Sequence, residues 1–351
     1  MYALRLLSVV VPVFAVSVCS GQDGLTVRSR AIHWPESKPQ AQGLDPALLE
    51  KASEYLVKNK PASASLLVVR HGSLVFERYY GGATRNDAGN VKSISKSVLS
   101  ALTGIAIAER RIRGIDDRVD AYVPEAFAEV PDARAREIRL RNLLTMTAGL
   151  RWIENGKVTQ DWIRSPDPNC FALSQPYLAA PGDKFEYSTA LTHLLSTVLA
   201  RATGKSTLDY AASRLFEPLG ITCARWDRFH GIHFGGAEMY LTPRDLARFG
   251  QLYLQNGRWG GRQLVPAEWV ADSTSPKAKP YYGYLWWLHM PEGRRMICAQ
   301  GVFGQYVCIV PDLDLVVVHT SAPASGRNAN ELPLDMIPRY LFKAVQPEPG
   351  K

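Results

Sequence analysis

The stretch RMICAQGVFGQYVCIVPDLDLVVVHT, residues 295–320, decides the fold. It contains three short runs rich in β-branched and aromatic residues, Arg295–Ala299, Tyr306–Val310 and Leu315–Thr320, and each reads as a strand. Gly, Pro and Asp separate them, and these are residues of turns. Tyr282–His289 precedes them as a fourth strand. At the other end of the chain, Ser65–Arg70 and Ser73–Tyr79 flank His71-Gly72 and read as a hairpin. Strands at both ends pair most economically into one antiparallel sheet, because unpaired edges would otherwise stay exposed. The predicted class is therefore α+β: a sheet built from both chain ends, flanked by helices, with a mainly helical lobe between. A cleft between two such lobes is a natural place for a site.

The helices have legible starts. Asp45 is the expected N-cap of a helix running to about Asn59, with Pro46 in its first turn. Ser93 to Arg111 reads as a long helix, apolar at Ile94, Val98, Leu99, Leu102, Ile105 and Ile107. Further helices are expected over Leu140–Met146, Ala190–Ala202, Ser206–Leu215, Pro243–Gln255 (capped by Thr242), Pro266–Ala271 and Glu331–Val345.

Composition narrows the class further. The 351 residues are 46% apolar and 21% charged, with 27 Gly and 23 Pro, which excludes a disordered, collagen-like or low-complexity chain. No solenoid or propeller period recurs. The net charge of +8 is spread in short pairs such as Arg110-Arg111 and Arg294-Arg295. A dispersed excess of that size is a solvated surface, so no nucleic-acid partner is expected.

Arg5, the apolar run Leu6–Val18 and the small residues Cys19, Ser20 and Gly21 read as a secretory signal peptide over residues 1–20. The run is too short to span a hydrocarbon core of roughly 30 Å. Val16-Ser17-Val18-Cys19 also loosely resembles a lipobox, so a lipid-bearing Cys19 is the alternative. Residues 21–44 then form a linker and 45–345 the folded domain. Its sheet lobe is expected over about 45–92 and 276–345, and its helical lobe over about 93–275. No second apolar stretch approaches membrane length, so the mature chain is expected to be periplasmic or secreted, without a transmembrane anchor. Export leaves Cys170, Cys223, Cys298 and Cys308 in an oxidising compartment. A Cys298–Cys308 bridge is conceivable, since both sit in runs that read as neighbouring strands. Spacing selects none of the three full pairings, and buried unpaired cysteines are equally compatible.

Ser93-Ile94-Ser95-Lys96 is the only Ser-x-x-Lys in the chain. Positions i and i+3 share a helix face, which makes the Ser93 hydroxyl and Lys96 amine neighbours. A hydroxyl becomes a nucleophile when a base takes its proton, and a lysine serves if its pKa is depressed. Downstream, Pro181–Thr189 is a turn-rich loop entering a helix and presents Tyr187, whose phenol suits proton relay. The segment Ala299–Gln305 interrupts the C-terminal strands with glycines that permit close backbone approach to a ligand. A backbone N–H there and that of Ser93 suit an oxyanion hole.

With these residues in place, the chain resembles the serine β-lactamase and penicillin-binding-protein superfamily. Within it, the likeness is to the class C-like branch of esterases, amide hydrolases of the 6-aminohexanoate-dimer hydrolase type and D-peptidases. Three further stretches carry the resemblance: Leu143–Leu150 (LLTMTAGL), Thr242–Gly250 (TPRDLARFG) and Tyr282–Trp287 (YGYLWW). It covers about residues 45–343 and implies a β-lactamase-like fold. It implies Ser93 as the acyl-accepting nucleophile, Lys96 as its base and Tyr187 as a second proton carrier. The N–H groups of Ser93 and Val302 would hold the oxyanion, with Gln300, Gly301, Phe303 and Thr189 beside the substrate. Two departures matter. Thr189 stands where the branch often has Asn, and offers no amide donor. Ala299-Gln300-Gly301 stands where β-lactamases and peptidases have Lys-Thr-Gly or His-Thr-Gly, so the cation expected to hold a substrate carboxylate is absent. Ester or amide hydrolysis is therefore expected ahead of D-peptidase or β-lactamase activity. A silent binding protein sensing a cell-envelope ligand is the rival from another class, although it has no need of Ser93, Lys96 and Tyr187 together.

Other candidates carry less. His230 and His233 have metal-like spacing but no evident third ligand, so neither a metal nor an organic cofactor is implied. His193 and His319 lie in apolar runs where packed histidines are common. No Gly-x-Ser-x-Gly occurs, which argues against an α/β-hydrolase. Trp162, Trp286 and Trp287 suit either a cleft wall or the core, and Phe303 is the best candidate for a substrate wall.

Overall fold

The computed structural model describes residues 34–322 and 333–346. The expected signal peptide, Cys19 and the linker before Trp34 lie outside the described residues. Six strands, β1 (Ser63–Arg70), β2 (Ser73–Tyr79), β3 (Trp287–His289), β4 (Met296–Gly301), β5 (Gln305–Val310) and β6 (Leu315–Ser321), form one antiparallel sheet. Their order is β3-β4-β5-β6-β1-β2. The two ends of the chain meet where β1 pairs with β6, with Leu66 opposite His319 and Val68 opposite Val317.

Side chains alternate across each strand, and both faces are covered. Leu67, Val69, Val307, Val316 and Val318 enter a core shared with α2 (Ile94–Ala108), α3 (Thr189–Thr203) and α4 (Pro243–Leu254). Leu66, Val68, Cys308, Val310 and Val317 enter another with α1 (Pro46–Asn59) and residues Ile337 and Leu341. Burial on both faces is why these strands read as continuous apolar runs. The helix starts follow local chemistry. Asp45 accepts the Ala47 N–H at 2.8 Å, and Thr242 and Asp245 cap each other reciprocally ahead of α4.

Three elements differ from expectation. The strand expected over Tyr282–His289 is reduced to Trp287–His289, because the preceding backbone bonds elsewhere. The Tyr284 N–H donates to Ser273 O at 2.8 Å and that of Leu285 to Leu144 O at 3.0 Å. The helix expected over Ser206–Leu215 is α-helical only for Thr207–Ala211 and continues as a π turn over Ala212–Phe216. The described part of the helix expected over Glu331–Val345 is a 3-10 turn, Pro333–Asp335, followed by a π-helical segment, Ile337–Phe342. Pro218 and Pro338 lie at these two places, and each removes a donor from the regular ladder. A small sheet orders Gly89–Asn90, Met239–Leu241 and Arg225–Trp226, and so brings residues 225–241 against the chain just ahead of Ser93. Its strands are too short to leave a periodic signal. Among the described residues, no helix is long and apolar enough to cross a membrane.

Candidate active site

Ser93 caps α2, immediately after a backbone kink. Lys92 sits at φ 54°, a left-handed conformation that costs a non-glycine residue free energy, and the Asn90 side-chain oxygen accepts its N–H at 3.0 Å. One helical turn on, Lys96 is 2% exposed. Its Nζ lies 2.9 Å from Ser93 Oγ, 2.9 Å from the Gly236 carbonyl and 3.1 Å from Thr189 Oγ1. Burial pulls its pKa down from 10.5 to about 8, while the Glu154 carboxylate opposes part of that fall. Desolvation dominates, because taking an ammonium out of water penalises the charged form.

Tyr187 arrives from the loop preceding α3. Its ring centroid is 5.2 Å from Lys96 Nζ, and its phenol lies near the Ser93 side chain. Burial pushes the phenol pKa up, so it stays protonated as a donor. Trp287, 5.8 Å away, and the edge of Tyr282, 6.4 Å away, hold the ring. Ser93, Lys96, Tyr187 and Thr189 therefore converge.

Two further members of the cluster have no sequence signature. Glu154 accepts the Thr189 N–H at 3.0 Å, the Thr189 hydroxyl at 2.5 Å and the Trp152 indole N–H at 2.9 Å. It lies 35 residues from Thr189, and no motif links them. Gly236 carries the carbonyl that accepts from Lys96. A Cβ at this position would meet Thr189 Cγ2 at 2.2 Å and Lys96 Nζ at 3.2 Å, so only glycine lets the loop close on the lysine.

The turn between β4 and β5 comes to the same place. A Cβ on Gly301 would fall 2.5 Å from the Val91 carbonyl, which sets the turn hard against the chain before Ser93. Val302 is 39% exposed at its apex, and Phe303 adopts φ 66° with its ring 6.0 Å from Lys92 Nζ. Gln300 points to a different neighbour, with its amide nitrogen 2.5 Å from His289 Nε2.

The remaining candidates separate clearly. His319 is buried between Ser63 Oγ, 2.9 Å from Nε2, and the Gly304 carbonyl, 2.7 Å from Nδ1. It fastens the end of the β4–β5 turn, and burial holds its pKa near 4. His193 packs against Trp162, Phe229 and Phe234, and burial lowers its pKa to about 3. His233 meets the Trp226 carbonyl at 2.7 Å, and His230 packs edge-on against Phe229. Trp162 and Trp286 belong to the core, whereas Trp287 touches Tyr187. Cys298 and Cys308 face each other across β4 and β5 and form a disulfide, while Cys170 and Cys223 are free.

The chain as a whole is similar to known proteins. The chain is 26% identical over 288 residues to the 6-aminohexanoate-dimer hydrolase of Paenarthrobacter ureafaciens, covering 74% of this chain and 72% of the relative. The fold resembles that of a D-stereospecific amidohydrolase from Streptomyces sp., with a TM-score of 0.66 at 18% identity over 86% of this chain and 98% of the other. It also resembles a hydrolase with promiscuous acyltransferase activity, with a TM-score of 0.67 at 17% identity over 86% and 98%. The family model for Beta-lactamase matches residues 50–332, and the chain belongs to that family.

Proposed function

We propose that this serine hydrolase cleaves a carboxylic ester or amide through an acyl-enzyme on Ser93, with Lys96 and Tyr187 as its proton carriers. The observation that carries the reading is the buried Lys96 Nζ, 2.9 Å from Ser93 Oγ, with a pKa of about 8. At pH 7 that value leaves roughly one lysine in ten neutral, against roughly one in three thousand at the ordinary value. A neutral Lys96 accepts the Ser93 proton as Oγ attacks the carbonyl carbon. The N–H groups of Ser93 and Val302 would then hold the oxyanion. Among the described residues neither of them donates to a protein acceptor, as that role requires. Collapse of the tetrahedral intermediate breaks the bond to the leaving alkoxide or amine, which takes a proton from the Tyr187–Lys96 pair. Water then attacks acyl-Ser93 and releases the acid.

The preference for esters and amides over carboxylate-bearing β-lactams rests on charge. Ala299 occupies the place of the lysine of β-lactamases and peptidases, and burial lowers the pKa of His289, the neighbour of Gln300. Lys92 is paired with Glu238 at 3.5 Å. The reading includes export, from the N-terminal residues 1–20.

Intact-protein mass spectrometry with an activated short-chain ester, run beside Ser93→Ala, tests it. The expected result is an acyl adduct or turnover in the parent that vanishes in the variant. Folded parent protein that neither forms an adduct nor turns over the ester would refute it and favour a ligand sensor.

A further inference from the structure

A cavity of about 810 Å³ lies against the chain that leads into Ser93. Val91 and Lys92, which precede Ser93, line it, as does Phe303, which follows Val302. Ser93, Lys96, Tyr187 and Thr189 are not among its lining residues. We propose that this cavity receives the acyl chain of the substrate, and that the enzyme prefers esters or amides of apolar acids longer than acetate. The inference rests on the acyl-enzyme reading above and adds the substrate class.

The geometry of a serine-bound tetrahedral carbon assigns the cavity. The oxyanion lies between the N–H groups of Ser93 and Val302. The leaving atom must stay near Tyr187 and Lys96 to collect its proton. The acyl substituent takes the remaining direction, and the space flanked by Lys92 and Phe303, the chain neighbours of the two oxyanion donors, is an opening lined by none of the proton carriers. Its walls include Val91, Ile163, Phe229, Phe234, Leu241 and Phe303, so an apolar chain is desolvated there at little cost.

The acidic groups on its rim are already engaged. Glu238 accepts from Asn90 at 2.8 Å and Tyr240 at 3.2 Å and pairs with Lys92. Asp227 pairs with Arg225 at 2.8 Å, and Asp87 accepts the Thr84 N–H at 2.7 Å. None of them is left to recruit a charged tail. Lys92, Glu238 and Phe303 all adopt left-handed backbone conformations, at φ 54°, 59° and 66°. Strain concentrated at one rim marks a surface shaped for a ligand. The volume lies within the roughly 300–1,000 Å³ of small-molecule sites, far more than an acetyl group fills.

Two ester series test the proposal on the full protein. One varies the acyl group from acetyl to octanoyl on a fixed leaving group, and the other lengthens the alcohol on a fixed acetyl group. Full burial of a methylene is worth about fourfold in kcat/KM, so acetyl to hexanoyl should gain on the order of tenfold to a few hundredfold. The alcohol series should stay nearly flat. Ala88→Trp, and independently Ala83→Trp, place bulk in the cavity wall outside the catalytic residues. Each should cost at least about tenfold on octanoyl esters and leave acetyl turnover within about twofold, which also certifies the fold.

A flat acyl series, or a steep alcohol series, in an enzyme that hydrolyses acetyl esters overturns the acyl pocket and leaves the Ser93 chemistry standing. If no ester turns over, the acyl-enzyme reading fails, and calorimetric titration with octanoate decides the cavity separately. Binding lost in both tryptophan variants supports an apolar-chain site, and absent binding in the parent refutes it.

Discussion

Replacing Glu154 by Gln keeps the side chain's shape and removes its charge. In the structure the Glu154 carboxylate is joined to Lys96 Nζ through the Thr189 hydroxyl, by hydrogen bonds of 2.5 and 3.1 Å. The charges are therefore about 5–6 Å apart, and their attraction is about 3 kcal/mol at an effective dielectric near 20. That equals roughly two pKa units as an upper figure. Glu154 is half-buried, so water screens it, and a fall of about one unit is expected. The sign is definite. Glu154 favours the ammonium, so its loss lowers the Lys96 pKa from about 8 towards about 7. Only the neutral amine accepts the Ser93 proton, so activity rises with pH through this value and its ascending limb moves in the acid direction. Tyr187, the other titratable group near Ser93, remains protonated across this range because burial raises its pKa. The assay is kcat/KM for an activated ester between pH 5.5 and 9.5, since kcat/KM reports ionisation in the free enzyme. Glu154→Asp, which keeps the charge, should restore the parental limb in part. A limb unmoved in Glu154→Gln, or displaced towards alkaline pH, would refute the assignment of Lys96 as the titrating base.

Three other perturbations follow from close contacts. Gly236→Ala drives its new methyl into Thr189 and towards Lys96, so esterase activity should fall by at least about tenfold, with an overpacking cost of about 1–3 kcal/mol. Unchanged turnover would show that the Gly236 carbonyl is not needed to hold the lysine. Gly104→Ala puts a Cβ 2.3 Å from Trp269 Cγ. Overpacking of about 1–3 kcal/mol outweighs the ~1 kcal/mol helix-propensity gain, so urea denaturation should show a net loss, and a stabilised variant would contradict the packing. Replacing Cys298 and Cys308 together by Ala opens a crosslink between residues ten apart and should cost about 2–3 kcal/mol in the same assay. A variant of parental stability would show that the β4–β5 pairing holds without the bond.

The large-scale fold was legible because its signals are local. A strand buried on both faces is written as a run of Val, Ile and Leu, and helix starts are written in Asp45, Pro46, Thr242 and Asp245. Reading failed where a segment bonds to distant backbone. Tyr284 and Leu285 look like strand residues, yet their N–H groups go to Ser273 and Leu144. The strand pairs of the small sheet are too short for any period, although they set one wall beside Ser93.

The same division runs through the site. Ser93 and Lys96 are one helical turn apart, so sequence spacing alone made them neighbours. Tyr187 and Val302 were named only through turn chemistry and resemblance, because their closeness to Ser93 depends on how the loops pack. Glu154 and Gly236 were invisible, since a carboxylate 35 residues from its partner, or a carbonyl 140 residues from the lysine it accepts from, has no linear signature. The sequence by itself determined the class of fold, the two ends that share a sheet and the closeness of Ser93 to Lys96. Only the tertiary structure decided the lysine's lowered pKa, the carboxylate that tunes it and the apolar space lined by Val91, Lys92 and Phe303. Spacing along one helix is set by covalent geometry and hydrogen-bond pitch, whereas burial and cavities exist only once distant segments close over the same point.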